Sequence, residues 1–292
     1  MRVTVLESSK ESFDSDMKDK ILVFLDFEFN CPEQKGTNKR EIISMGAVFR
    51  YSDGSPLTSF YSLVKPSRNF RISDRTRRLT GITQKQLNKS QNFDVVSEKF
   101  LHLVDCFSPS EYFVWGSADK AEVQKSVRYS KADNRMTEIS GNFHDLQIDV
   151  MKELNLDNPY NLERVADIYD IDFVHTFSAI DDAECLAEIY FAYKRGIYDS
   201  EKLDLYKKFY EYRKIIGNYK LIANNIKNSG KKLETLKKLL SETPDGSDEY
   251  NKLKVKSEET ADYISEQQAM ADMLKPLADE GKIFLDENNF II

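Results

Sequence analysis

Cysteine is scarce in this chain. Cys31, Cys106 and Cys185 are the whole supply, and no two of them stand at C-x-x-C spacing, so neither a disulfide framework nor a structural zinc site is on offer. That scarcity fits a reducing, intracellular setting. Long apolar runs are missing too: the first twenty residues hold no core of signal-peptide length, and no later stretch approaches the roughly 20 residues that cross a bilayer. The expectation is a soluble cytoplasmic protein with no membrane segment. An excess of positive charge is also absent. The net charge of −7 argues against a protein that coats nucleic acid indiscriminately, although a local basic strip can still steer a phosphate backbone. Internal repeats and low-complexity tracts are lacking. What remains, 292 residues of which 40% are hydrophobic, suffices for one large domain with a sizeable core plus an appendage.

From Ile21 to Phe29 the sequence is almost continuously apolar and aromatic, a buried strand interrupted by two acids. Strand-like runs at Glu41–Tyr51 and Phe60–Lys65 flank an Asp53-Gly54-Ser55-Pro56 turn, which predicts an antiparallel meander. Helical signals follow. Thr83 and Gln86 have capping-box spacing, and Val95, Val96, Phe100, Leu103 and Val104 form an apolar stripe. Tyr112–Gly116 reads as a short buried strand, Ser117 caps a helix through Val127, and further helices are expected over His144–Leu154, Leu162–Tyr169 and Ala179–Lys194, the last stopped by Gly196. Strands first, then strands alternating with helices, is an α/β pattern with a mixed sheet.

After Gly196 the composition turns to Lys, Leu, Glu, Asn and Tyr. Tyr212, Ile215, Tyr219, Ile222, Ile226, Ser229, Leu233, Leu236 and Leu240 step by threes and fours along one helical seam. Thr243-Pro-Asp-Gly-Ser-Asp248 ends it, a more polar helix over about Glu249–Leu277 follows, and Lys282–Ile292 reads as a short hairpin around Glu287-Asn288-Asn289. Two domains result: 1–197, with its core at about 20–195, and a coiled-coil-like helical extension, 198–292. Residues 201–240 carry eleven Lys/Arg against four Asp/Glu, and those from 241 onward five against thirteen. Opposite charge favours a helical hairpin. The segment 205–277 equally offers a surface to a second copy or a protein partner, or an extension of a nucleic-acid track, and sequence does not choose.

Asp26 and Glu28 lie two apart in a strand, so both side chains leave one face about 6–7 Å apart. Acids in an apolar strand either face water at an edge or are neutralised, and a divalent ion would serve both. Asp119 sits just past a strand end in the first turn of a helix, where α/β sites collect, although such an acid can also be a mere dipole partner. Ser178 and Asp181 have capping-box spacing, which occupies Asp181. Asp182 instead shares a face with Cys185, Leu186 and Ile189, and an acid on a packing face needs a partner. Hard cations such as Mg²⁺ or Mn²⁺ prefer oxygen ligands, and four such acids are what a two-metal phosphodiester hydrolase requires.

In this order, Asp26-Phe-Glu28 followed by Cys31, the Glu41-Ile-Ile run, Leu79-Thr-Gly-Ile-Thr83, Trp115-Gly-x-x-Asp119 and Ile180-Asp-Asp-Ala183 resemble the DEDD exonucleases over roughly residues 20–195. The closest likeness is to the Eri-type, RNA-processing branch, near RNase T and the proofreading exonucleases. The resemblance implies an RNase H-like fold, a mixed sheet flanked by helices, with two Mg²⁺ or Mn²⁺ ions on Asp26, Glu28, Asp119 and Asp182. It also implies 3′-to-5′ hydrolysis at single-stranded 3′ ends, RNA favoured over DNA, with release of nucleoside 5′-monophosphates.

One position departs from that pattern. The histidine subclass places a general base five residues before the last acid, where this chain has Phe177, and the tyrosine subclass slot falls on Ser178. His102 reads as a core or edge residue and His144 as part of a helix start, which leaves His175. Two residues of extended chain would carry it about 6–7 Å out of reach, so it acts only if the loop bulges. Without a base the fold would serve as a weak or inactive nucleic-acid-binding or scaffolding module. Between Lys65 and Lys89 eight basic residues face one acid, Asp74; Arg77 and Arg78 beside the Leu79 motif are the candidate phosphate contacts. Phe29, Leu79 and Trp115 are candidate stacking surfaces for the terminal base, each with core packing as the alternative.

Overall fold

The computed structural model describes residues 3–5, 20–31, 40–68, 71–173 and 176–288. Its contacts divide the chain into two units, Met1–Leu203 and Asp204–Ile292.

The first unit is a mixed α/β layer structure. Strand β1 is Val3–Val5, and β2 (Ile21–Asn30), β3 (Glu41–Tyr51) and β4 (Pro56–Lys65) form the expected antiparallel meander. Helices α1 (Asp74–Thr80) and α2 (Gln84–Lys89) lead into β5 (Gln91–Asn92) and α3 (Phe93–Phe107). Then come β6 (Glu111–Val114), α4 (Ala118–Tyr129), α5 (Arg135–Gly141), β7 (Phe143–Asp145), α6 (Leu146–Glu153), α7 (Leu162–Ile168), α8 (Ala179–Arg195) and β8 (Ile197–Asp199). The six-stranded sheet runs β5-β4-β3-β2-β6-β7, with β6 parallel to β2 and β7 parallel to β6, while β8 pairs antiparallel with β1.

Strand β2 is buried on both faces because both are covered. Val23, Leu25 and Phe27 point into a core shared with Val96 and Phe100 of α3 and Val123 and Val127 of α4. Phe24 points the other way, stacking on Phe113 and meeting Tyr190 and Phe191 of α8. Period-two alternation therefore sends Asp26 and Glu28 to the α8 side.

Several local expectations shift. The strand expected from Phe60 starts at Pro56. His144 lies in β7 rather than a helix start; Asp145 is the N-cap of α6 and accepts from Gln147 N–H at 3.1 Å. The break between units falls beyond 197 because β8 and the first turn of the next helix belong with the sheet unit. Asp199 accepts from the N–H groups of Glu201 and Lys202, and Leu203 is buried.

The second unit is a helical hairpin. Helix α9 (Ser200–Glu242) and helix α10 (Asp248–Glu287) are joined by a short turn, with Ser247 accepting from Tyr250 N–H as the N-cap of α10. Phe209 and Ile216 of α9 pack with Ala278 and Leu285 of α10. Tyr212 lies over Gly281, where a Cβ would meet its ring at 2.8 Å, and its hydroxyl donates to Glu280 at 2.5 Å. The α10 seam thus runs past Leu277, so the expected hairpin is not formed: Lys282–Glu287 continue the helix because Gly281, Phe284 and Leu285 keep its inner face against α9. Asn289, the tip of that expected turn, and residues 290–292 lie outside the described residues. Pro276 sits inside α10 on its exposed side, where the missing N–H faces water rather than the seam.

Candidate active site

The site is assembled where β2 ends. Asp26 and Glu28 emerge on the α8 face, and immediately afterwards the register shifts, leaving Ile43 of β3 as the extra residue before pairing resumes at Phe29 and Ile42, an irregularity that bends β3 beside the two acids. Helix α8 reaches this point because its first residue lies against Gly46, the partner of Asp26 in β3. One turn in, Asp182 is 6% exposed while Asp181 is exposed, as helical spacing predicts. The carboxylates of Asp26, Glu28 and Asp182 each offer an oxygen, and these atoms lie within 4.8 Å of one another.

Asp119 comes from the opposite side. The chain turns at Gly116, whose φ of +86° is open to glycine, and α4 begins with Asp119 buried in its first turn. Asp145 fixes this turn by accepting from Gly116 N–H at 2.8 Å. Trp115 is pinned as well: its indole N–H donates to the Tyr160 carbonyl at 3.2 Å, which also accepts from the Gln147 amide at 2.8 Å.

These acids repel one another. Burial first, then the charges of Asp119, Asp182 and Glu28, hold the Asp26 carboxyl well above its ordinary range. Burial first, then Asp145 and Glu28, does the same to Asp119, opposed by a backbone hydrogen bond and Arg40. An oxygen-only, mutually repelling set, with Asp119 and Asp182 buried and Asp26 and Glu28 half-buried, fits divalent hard cations. On donor chemistry the residues present fit the divalent metal binding of this exonuclease pattern.

The expected Ser178–Asp181 capping box does not form. Ser178 is the N-cap residue without a side-chain bond, and Asp181 instead accepts from the Thr176 hydroxyl. His175 lies outside the described residues. Phe177, in the family's histidine slot, is half-buried and has φ +53°, so the segment before α8 is not extended there.

The end of β2 is tied to the basic segment. Buried Asn30 donates to the Arg71 carbonyl at 2.9 Å and accepts from Ser73 N–H at 3.0 Å, while Cys31 N–H donates to Thr76 Oγ1 at 3.2 Å. Helix α1 thereby hangs from the strand that carries Asp26 and Glu28. On it Leu79 is 42% exposed rather than core, Arg78 is exposed, and Arg77 pairs with Asp74 at 3.3 Å. Phe29 packs partly into the core under the Arg40 guanidinium, 5.9 Å from its ring centroid.

Gly46, Asn30, Arg40 and Asp145 are site residues that the sequence reading missed. An isolated glycine within a strand pattern signals close backbone approach, so Gly46 was findable; the other three act through folds of the chain that no local signal announces.

Comparison with known proteins matches this geometry. The RNase T family model, described as an exonuclease, covers residues 23–190. The chain belongs to that family. A probable 3′-5′ exonuclease KapD of Bacillus subtilis is 28% identical over 112 residues, 37% of this chain and 54% of that protein. ERI1 exoribonuclease 2 of Danio rerio is 31% identical over 118 residues, 38% of this chain and 21% of that protein. The PolC-type DNA polymerase III of Thermotoga petrophila is 35% identical over 94 residues, 32% and 6%. The chain thus spans about half, or far less, of these relatives' lengths. Among solved structures, the nuclease domain of 3′hExo, a DEDDh family member bound to rAMP, superposes with a TM-score of 0.54 at 20% identity, covering 61% of this chain and 92% of that one. A 3′-exonuclease recognising a histone mRNA stem-loop gives 0.56 at 20%, covering 62% and 67%. These likenesses establish the RNase H-like exonuclease fold.

Proposed function

We propose that the protein is a metal-dependent 3′-to-5′ exonuclease acting on single-stranded 3′ ends, RNA in preference to DNA, and releasing nucleoside 5′-monophosphates. The observation that carries the reading is the meeting of Asp26, Glu28 and Asp182 within 4.8 Å beside buried Asp119, in a chain of the exonuclease family. Asp26, Glu28, Asp119 and Asp182 would hold two Mg²⁺ or Mn²⁺ ions. When bound, such ions activate water and neutralise charge on the leaving oxygen. The chain's own contribution is to hold four carboxylates in place. It also presents Leu79 and Trp115 to the terminal base, with Phe29 beneath Arg40, and keeps Arg77 and Arg78 near the backbone. His175 serves as general base in this reading, which the left-handed rather than extended backbone at Phe177 supports.

The test is incubation of the full chain with end-labelled RNA and DNA oligonucleotides and Mn²⁺, beside Asp26→Ala. Ladder-like shortening from the 3′ end, lost in the variant, is expected. No shortening of either polymer would sink the reading. Phe177 in the histidine slot favours the second reading, a binding or scaffolding module, which predicts oligonucleotide binding without cleavage.

A further inference from the structure

We infer that the face of α4 carrying Asp119 continues into a second subsite, which binds the upstream part of a single-stranded nucleic acid through Lys65, Arg68, Tyr129 and Lys131. The inference rests on the exonuclease reading. Asp119, Glu122, Ser126 and Tyr129 follow one another at steps of three and four along α4, so they share one side of the helix. Asp119 opens this stripe in the carboxylate site. Its far end lines a cleft of about 340 Å³ between the ends of β3 and β4 and the start of α3.

The cleft is built for an anion with a flat face. The Arg68 guanidinium lies 4.0 Å from the centroid of the Tyr129 ring, which is 60% exposed. Glu41 anchors this segment: it accepts from the N–H groups of Ser67 and Arg68 and the Ser67 hydroxyl, each at 3.0 Å, and stands 3.6 Å from Arg68 Nε. Thus Glu41 is engaged, and Lys65 and Lys131 line the same cleft with no ion pair among the described residues. Asp94 is the remaining acid against three cations. A guanidinium held over an aromatic ring can take a phosphate on its free N–H groups while the exposed ring takes a base.

The ground between the two sites is cationic as well. Glu122, midway, pairs with Lys125 at 2.9 Å and Arg40 at 3.6 Å, and Lys125 also donates to the Arg40 carbonyl at 2.9 Å. Tyr129 follows Asp119 by ten residues, about 15 Å along the axis at ~1.5 Å per residue. At about 3.4 Å per stacked nucleotide, that is roughly four to five nucleotides. A strand whose 3′ end lies at the acids would reach the cleft only beyond that length.

The experiment measures fluorescence anisotropy of labelled three- and ten-nucleotide RNA strands on full-length Asp182→Asn, adding Arg68→Ala, Tyr129→Ala or Tyr129→Phe. The expected result is a loss of roughly five- to hundredfold in affinity for the ten-nucleotide strand with either alanine variant, with the trinucleotide unchanged. Tyr129→Phe restores binding, and Arg68→Ala lowers the slope of log affinity against log salt by about 0.7. Equal losses at both lengths, or no loss at either in variants whose melting is unchanged, would overturn the subsite while leaving the nuclease reading intact. Parent protein that binds neither strand would overturn both.

Discussion

Gly46 and Ala179 are in backbone contact: a Cβ built on Gly46 would lie 2.2 Å from the Ala179 carbonyl oxygen and 2.5 Å from the Ile180 nitrogen. Because Gly46 is the cross-strand partner of Asp26, this contact sets how close Asp182 comes to β2. Gly46→Ala has no flexible side chain to displace and must push α8 away. The expected cost is about 1–3 kcal/mol, a fall of roughly 2–10 °C in melting temperature, with a loss of nuclease activity out of proportion to the fraction unfolded. A variant with unchanged kinetics would show that the α8 position is not what assembles the acids.

The two neighbouring aspartates separate cleanly. Asp182 is buried among the acids and Asp181 is exposed, bound to Thr176. Asp182→Asn is expected to abolish shortening of a labelled strand. Asp181→Asn should cost about 0.5–1.5 kcal/mol of stability and little activity. The reverse ranking in parallel assays and melts would reassign the metal ligand.

Acid repulsion makes the metal-free protein pH-sensitive in a definite direction. Asp26 and Asp119 have raised folded-state pKa values, against about 3.9 unfolded. The folded chain therefore holds more protons from about pH 4 up to those raised values, and stability contributed by these groups is present at low pH and lost as pH rises. Melts in chelator should show the gap between Asp119→Asn and wild type widening in the variant's favour with increasing pH, and Mn²⁺ at neutral pH should close it. A gap independent of pH would show that Asp119 is not held protonated by its surroundings.

For the base, His175→Ala should lose about 10²–10⁴-fold in rate, and the wild-type rate should climb through a pKa near 6.5, the ordinary histidine value. Loss of less than twofold would leave water activation to the metals alone; Phe177→His, which refills the family slot, should then raise turnover.

Much of the fold was legible because its signals are local. The Thr83–Gln86 capping box, the Gly196 stop in left-handed conformation and the α9 seam all form as expected. The burial of Asp182 followed from helical phase alone. Position 144 misled because a three-residue parallel strand leaves no periodicity of its own, and its pairing with β6 comes from a distant part of the chain. The end of α10 misled because Lys282–Glu287, read as the first arm of a hairpin, stay helical with Phe284 and Leu285 packed against α9. Asn30 and Asp145 were invisible for the same reason: each bonds backbone atoms 29 to 43 residues away.

The Tyr212–Gly281 fit has one more consequence. The inner face of α10 is small at Ala271, Ala278 and Gly281, whereas α9 presents Phe209 and Tyr212. Sliding one helix by a heptad would carry Gly281 out from under the tyrosine ring and break the bond to Glu280. The hairpin therefore has a single permitted registration, like a key with one tooth. With the 40 residues of α10 spanning about 60 Å at ~1.5 Å per residue, the fit favours a strut of fixed length over a pair of rails free to slide.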